Sequence, residues 1–318
     1  MILVTGGTGF IGGHLLEKLS AAGEGVRCLL RRDPRRPLPP GVDVVRGDLL
    51  APYGLEAALS GVDTVIHLAG VTKALRPADY YAGNLRATEN LASALQGRPI
   101  RLVHVSSMAA AGPGSAVGED AEPRPVSHYG RSKLEAERAV RALLPDAVIA
   151  RPTVVYGPRD TDVYQILKSV AKGITLEISG PERWFSAIYV KDLVNALCEA
   201  AWNPRAAGRT YYFAHRQPFA WRELAETAAR IMRRRPPRVI RVPYAAAWTV
   251  GWCAETWARI SGRPGIVSRD KIAEARCASW TCDVRRASAE LGFEARVTLQ
   301  AGLAESLAWY REAGWLTY

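Results

Sequence analysis

The chain has 318 residues, 48% of them hydrophobic and 23% charged, an ordinary globular composition that excludes intrinsic disorder. A chain this long makes about two domains, or one large α/β domain with an appendage, and buries enough surface to need neither a metal nor a disulfide staple. The net charge of +11 comes mostly from scattered arginines and favours anionic ligands or surfaces. In chain order, short apolar runs at Ile2–Thr5, Val26–Leu30, Val42–Val45, Thr64–Leu68, Leu102–Ser106 and Ala147–Arg151 predict buried parallel strands. Between them, Gly12–Ala22, Tyr53–Ser60, Pro77–Leu95 and Ser127–Leu143 carry helical patterns. Regular alternation of this kind implies βαβ units, right-handed crossovers and a doubly wound parallel sheet. Past about residue 155 the rhythm loosens. Val163–Lys172 and Asp192–Trp202 read as helices, Trp184–Val190 as extended, and Thr210–Ala214 as a strand that rejoins the sheet. From Trp221 onward helices dominate, interrupted by turns at Arg233–Pro237 and Gly262–Gly265, while Arg35–Gly41 is a Pro-rich loop. The expected organisation is an α/β domain over 1–155, rejoined by 191–215, with 156–190 and 216–318 forming a smaller, mainly helical domain on the substrate side.

The first turn carries the first chemical signal. Thr5-Gly-Gly-Thr-Gly-Phe-Ile-Gly12 follows the first strand and opens the first helix, with Gly6, Gly9 and Gly12 in G-x-x-G-x-x-G spacing. Such a turn needs glycine for tightness, for backbone approach to a pyrophosphate and for close helix–strand packing, and the helix N-terminus then faces the ligand's charge. The sequence therefore predicts a Rossmann-type dinucleotide site held by Gly6, Gly9, Phe10, Ile11 and Gly12. The acid that usually holds the ribose 2′-hydroxyl at the end of the second strand is replaced by Leu30, followed by Arg31 and Arg32. A guanidinium there attracts a 2′-phosphate, so NADP is expected over NAD.

Tyr129-Gly-Arg-Ser-Lys133 opens a helix, which places Tyr129 and Lys133 on one face a turn apart. A lysine ammonium beside a phenol favours the phenolate and makes the tyrosine an acid/base near neutrality. Ser106 and Ser107 end the fifth strand, and parallel sheets bind ligands at the carboxyl ends of their strands. Ser107, Tyr129 and Lys133 are thus the expected catalytic residues, with the serine hydroxyl on the substrate oxygen.

These motifs occur together with Gly47-Asp-Leu49, His67-Leu-Ala-Gly70, Val105-Ser-Ser107 and Arg151-Pro-Thr-Val-Val-Tyr-Gly-Pro158, in this order. The chain resembles an extended short-chain dehydrogenase/reductase of the NAD(P)-dependent epimerase/dehydratase superfamily over nearly its whole length. The resemblance implies that Tyr129 is the acid/base, that Lys133 binds the nicotinamide ribose and lowers the tyrosine pKa, and that Ser107 positions the reacting oxygen. It also implies that Asp48 and Leu49 contact adenine, that Leu68, Ala69 and Gly70 line the adenosine–pyrophosphate side, and that Pro152 and Thr153 border the nicotinamide.

Three departures narrow the reaction. Met108 and Ala109 follow Ser107 where sugar-nucleotide dehydratases carry an acidic pair for elimination. Val154 stands where many sugar-nucleotide enzymes carry a phosphate-side Asn, although Arg151, Arg159 and Arg183 remain nearby. The Arg151–Pro158 form and the stretch Trp184–Asp192 resemble dihydroflavonol reductases and 3β-hydroxysteroid dehydrogenases. Downstream, Tyr244–Arg259 reads as a helix with Trp248 and Trp252 at i and i+4. These indoles suit a small C-terminal core, the wall of an apolar pocket or a membrane interface. Met108, Trp184, Trp248 and Trp252 are the candidate substrate contacts.

The expected function is therefore an NADP-dependent oxidoreductase acting at a secondary alcohol or ketone carbon of a hydrophobic or alicyclic substrate, such as a steroid, flavonoid or terpenoid. A nucleoside-diphosphate-sugar epimerase is the main alternative, and a non-catalytic NADP sensor of the same fold is disfavoured by the intact triad. No metal is expected. No basic stripe interleaved with aromatics and no helix-turn-helix pattern supports nucleic-acid binding. Five cysteines, an odd number with no C-x-x-C, read as reduced thiols of a cytoplasmic protein. A strand at the very start leaves no room for a signal or transit peptide, and no apolar run reaches the roughly 18 residues of a spanning helix. Peripheral membrane contact stays open, and a homodimer through the helices Pro77–Leu95 and Ser127–Leu143 is expected by resemblance.

Overall fold

The computed structural model describes residues 1–318 apart from Arg35, Pro52, Arg263, Pro264 and Ile266, so the first residue of the Pro-rich loop and part of the 262–265 turn lie outside the described residues. Seven strands form the central sheet: β1 (Ile2–Thr5), β2 (Val26–Leu30), β3 (Val42–Arg46), β4 (Thr64–His67), β5 (Arg101–Val105), β6 (Val148–Pro152) and β7 (Thr210–Phe213). Their order is β3-β2-β1-β4-β5-β6-β7, and every pairing is parallel. Ile2 sits opposite both Val26 and Thr64 in register, so the chain runs outward from β1 in one direction and restarts beyond it in the other. That reversal opens a crevice at the carboxyl ends of β1 and β4, the place where doubly wound sheets bind ligands.

The strands form where apolar, often β-branched residues run together, and each residue of β1, β4 and β6 is buried. Two faces of the sheet are covered by separate helical layers. The helices α1 (Phe10–Ala21) and α4 (Val190–Trp202) supply Leu15, Leu16, Leu19, Leu193 and Leu197 to one core. On the other face, α2 (Ala87–Leu95) and α3 (His128–Leu143) supply Leu91, Leu95 and Val140. A third cluster around Tyr156, Leu167, Phe185, Tyr189, Leu303 and Tyr310 gathers the chain beyond β6.

Several expectations need correction. Strand β3 is an edge, with Asp43, Val44 and Arg46 exposed, rather than a fully buried strand. The helix expected over Tyr53–Ser60 shrinks to Leu55–Leu59, because Gly54 enters it at φ +78°, outside the helical region. Pro77–Leu95 is helical throughout, but Tyr81–Arg86 forms a widened turn in which the Ala87 N–H bonds the Ala82 carbonyl five residues back. The extended stretch from Trp184 divides between two sheets. Trp184–Phe185 joins Phe219–Ala220, Ser279–Cys282 and Gly114–Val117, whereas Ala187–Tyr189 pairs with Val154–Tyr156. A further pair, Ile174–Ile178 with Arg238–Val242, leads through Pro243 into α5 (Tyr244–Ser261), which α6 (Arg269–Arg276) follows.

Candidate active site

The glycine turn is shaped by contacts that leave no room for side chains. Gly6 has φ +73°, and a Cβ there would lie 2.6 Å from the Ala69 nitrogen; a Cβ on Gly12 would lie 2.2 Å from the Gly6 carbonyl oxygen. Gly9 begins α1 without a side-chain cap, and the first turn holds no acidic residue, so its N–H groups and dipole are free to meet an anion. Phe10 and Ile11 are half-buried beside it. This cradle fits a dinucleotide pyrophosphate. At the end of β2, Leu30 is buried while Arg31 and Arg32 are exposed, and Asp33 pairs with Arg46 of β3.

The other expected cofactor residues lie along the same sheet edge. The Asp48 carboxylate accepts the Leu50 N–H at 3.0 Å, and the Leu49 carbonyl accepts from the Asn90 amide at 2.7 Å. Leu68 N–H donates to the Thr5 carbonyl at 3.1 Å and Ala69 N–H to the Thr5 hydroxyl at 3.2 Å, which ties the β4 turn to the glycine turn. Pro152 is buried, and half-buried Thr153 donates its hydroxyl to the Phe213 carbonyl at 3.4 Å.

Ser107 and Tyr129 are brought together by two capped helices, and Lys133 follows Tyr129 one turn along the second. The Ser107 hydroxyl caps a short helix, Met108–Ala111, by accepting the Ala109 N–H at 3.1 Å. Ser127 caps α3 by accepting the Gly130 N–H at 3.0 Å. The two helix starts nearly touch, since a Cβ on Gly130 would lie 2.3 Å from the Ala109 carbonyl oxygen. This close approach sets the Ser107 hydroxyl against the Tyr129 phenol.

The electrostatics differ from the sequence expectation. Burial pushes the Tyr129 phenol above its ordinary pKa, opposed by Ser107 and by the charge of Lys271. The cation over the tyrosine ring is Lys271, its Nζ 5.6 Å from the centroid. The Lys133 ammonium is buried beneath the site and donates to the Val105 carbonyl at 2.8 Å; burial lowers its pKa to about 8, so it stays mostly charged at neutral pH. Its charge is held by that carbonyl, and the groups that act on the phenol are Ser107 and Lys271.

Sequence reasoning missed several residues that build the site. Asn84, in the widened turn, clamps Val71 through both backbone groups at 2.7 and 3.0 Å and donates to Ser132 at 2.9 Å. His67 bonds the Thr5 and Thr88 hydroxyls at 2.7 and 3.0 Å, and burial lowers its pKa to about 3, so the ring is neutral. From α6, Asp270 accepts the His128 N–H at 2.7 Å and Glu274 accepts the Ser127 hydroxyl at 2.6 Å, which pins the start of α3. Beneath, Glu137 of α3 holds Arg151 of β6 through two bonds at 3.0 and 2.6 Å, and Arg151 reaches the Tyr212 hydroxyl at 3.2 Å.

Of the candidate substrate contacts, Met108 is buried against Ala111 and Tyr212. Trp184, Trp248 and Trp252 lie on the surface. The tryptophans of α5 therefore do not pack a small C-terminal core: its packed face is made of Gly251 and Ala258, the only buried residues of the helix among those described.

A glycine cradle, a serine–tyrosine pair and a buried lysine thus stand at the carboxyl ends of a doubly wound sheet, where such sheets bind ligands. The chain belongs to the NAD dependent epimerase/dehydratase family, whose pattern matches residues 2–213 and so ends on the last residue of β7. It is an enzyme of the extended short-chain dehydrogenase/reductase type. It is 31% identical to ceramide reductase from Caulobacter vibrioides, over 99% of this chain and 96% of that protein. It is 27% identical to N-acetyl-alpha-D-glucosaminyl-diphospho-ditrans,octacis-undecaprenol 4-epimerase from Escherichia coli O157:H7, over 96% of this chain and 94% of that one. Among solved structures, MoeE5 in complex with UDP-glucose and NAD superposes with a TM-score of 0.78 at 28% identity, covering 98% of this chain and 99% of that one.

Proposed function

We propose that the protein is an NADP-dependent oxidoreductase acting on a secondary alcohol or ketone carbon of a hydrophobic substrate. The nicotinamide, when bound, supplies or accepts the hydride. In the reducing direction the Tyr129 hydroxyl gives its proton to the carbonyl oxygen, and in the oxidising direction the phenolate takes the proton back. Ser107 holds the same oxygen with its hydroxyl, and Lys133 holds the nicotinamide ribose and keeps a positive charge behind the phenol. In this reading residues 1–155 with 191–215 bind the cofactor, and 156–190 with 216–318 bind the substrate. We place the enzyme in the cytoplasm, as a homodimer through the faces of Pro77–Leu95 and α3.

The choice of a hydrophobic substrate rests on where the arginines of the β6 side spend their donors. Arg151 is bound to Glu137, Arg159 to Glu17 at 2.6 and 2.7 Å, and Arg183 to the Ile178 carbonyl at 2.6 Å. A diphosphate at this side would compete with those partnerships for all but the Arg183 Nε, which is buried without a partner, and the Val154 side chain offers it no donor. The similarity to a ceramide reductase supports the same reading. The epimerase relative and the UDP-glucose complex of MoeE5 favour the alternative, a nucleoside-diphosphate-sugar epimerase with retained cofactor. Calorimetric titration and a turnover screen following nicotinamide absorbance separate the two. Steroid, flavonoid and long-chain ketones are expected to bind and turn over, with UDP and UDP-glucose binding weakly. Micromolar binding of either nucleotide, displaced by no hydrophobic ketone, would reverse the assignment.

Cofactor preference is a separate prediction. With Leu30 in the place of the ribose-binding acid and Arg31 and Arg32 exposed next to it, NADPH is expected to bind roughly tenfold or more tightly than NADH, the size of a charge-assisted contact. Arg31→Ala narrows that difference. Equal dissociation constants for the two cofactors in the parent protein would assign the site to NAD.

A further inference from the structure

The helix α5 presents an apolar face that is exposed among the described residues. Val250, Trp257 and Ile260 are 58%, 70% and 76% exposed, and Trp252 is exposed beside them. Val250, Cys253, Trp257 and Ile260 recur at i, i+3, i+7 and i+10, so they form one stripe along the helix. The charged residues of Tyr244–Ser261 are Glu255, held by Arg269 on the inner side at 2.8 Å, and Arg259 near the end. Even the exposed hydroxyls are turned inward: Thr249 donates to the Ala245 carbonyl and Thr256 to the Trp252 carbonyl, each at 3.0 Å. Hydroxyls bonded to their own helix need no water, which suits a surrounding of low polarity.

The charge around this face selects the partner. Although the arginines form no long run, they are not evenly spread: residues 230–276 carry eleven Lys and Arg against three Asp and Glu, most of the molecule's net charge of +11. Arg233, Arg234, Arg235, Arg238 and Arg241 are all exposed on the strand and turn that lead into α5. A tryptophan-bearing helix of no net charge, flanked by arginines, is complementary to the interface of an anionic bilayer, where indoles sit at headgroup depth and guanidinium groups meet phosphates.

The inner side of the same unit touches the catalytic helix. A Cβ on Gly251 would lie 2.5 Å from Ile272 of α6, so α5 lies closely on α6, and α6 holds Ser127, His128 and the ring of Tyr129. We propose that α5 docks the enzyme on the surface of an anionic phospholipid bilayer, with Val250, Trp257 and Ile260 in the interface, and that the substrate reaches Tyr129 from that surface. The substrate part rests on the hydrophobic-substrate reading above; the docking stands on the exposed face and its charge.

Co-sedimentation of the full chain with vesicles of phosphatidylcholine containing phosphatidylglycerol, and of phosphatidylcholine alone, tests this. The protein is expected to bind the anionic vesicles, to release as ionic strength rises, and to bind about tenfold or more weakly as the Trp257→Gln/Ile260→Gln variant. Both proteins are expected to turn over a water-soluble ketone equally, which separates docking from folding and from catalysis. Absence of binding to anionic vesicles, or equal binding by the variant, overturns the proposal. Loss of a larger assembly in the variant, with no vesicle binding by either protein, assigns the face to a second copy of the chain instead. Vesicle binding without turnover of any hydrophobic ketone keeps the docking and discards the substrate reading.

Discussion

Tyr129→Phe is expected to lower turnover about 10²-fold or more while leaving cofactor affinity nearly unchanged, the usual cost of removing a positioned general acid. The substitution deletes one oxygen and keeps the ring, whose neighbours are Tyr80, with centroids 6.1 Å apart, and the Lys271 ammonium. The fold should therefore survive, and a drop of this size corresponds to about 2.7 kcal/mol of lost transition-state stabilisation. The phenol faces Ser107 and is not one of the groups expected to hold the cofactor, so the dissociation constant for NADPH, measured by fluorescence titration, is the control that should not move. Near-normal turnover in the Phe variant would remove Tyr129 from proton transfer and leave Ser107 or Lys271 to be tested in its place.

The second large effect concerns stability. The side chains of Arg151 and Glu137 are each only 6% exposed and joined through two hydrogen bonds, and Glu137 also accepts from the Ser106 hydroxyl. Glu137→Leu strands the Arg151 guanidinium in the interior with the Tyr212 hydroxyl as its remaining partner, which is expected to cost about 3–5 kcal/mol. For a chain of this size that lowers the melting temperature by on the order of 10 °C. Replacing both members, as Glu137→Leu with Arg151→Met, should recover most of the loss, because a well-packed apolar pair removes the uncompensated charge. Thermal unfolding of the two variants decides the matter. A single variant as stable as the parent would show that water reaches the guanidinium.

Local features were legible and distant ones were not. The strand–turn–helix around Gly6, Gly9 and Gly12 and the Tyr129–Lys133 spacing are written in a few adjacent residues, because the backbone geometry they require is itself local. Asp270 and Glu274 meet the start of α3 from more than 140 residues away, and nothing in their local sequence announces it. Lys271 reaches the tyrosine ring in the same way, which is why the sequence assigned the cation beside the phenol to Lys133 alone. The tryptophan helix shows another limit. Indoles at helical spacing fit a core, a pocket wall or a surface equally well, and what settles the matter is the small residues Gly251 and Ala258 on the opposite face, which let the backbone approach α6. The edge character of β3 was hidden for a similar reason, since Val42, Val44 and Val45 read as a buried run until the sheet order placed nothing beyond them.

The four-stranded sheet has a consequence for how the protein is made. Ser279–Cys282 lies between Gly114–Val117 and Trp184–Phe185, and Gly114 follows Ser107 by only a few residues. A chain still emerging from the ribosome can close its large sheet once β7 has been made, yet the segment just past Ser107 has no strand to lie against until residue 282 has left the exit tunnel. The large sheet and the four-stranded sheet thus become complete at different moments of synthesis. A nascent or C-terminally clipped molecule would keep its large sheet while lacking the Ser279–Cys282 strand and the α6 contacts to Ser127, His128 and the Tyr129 ring.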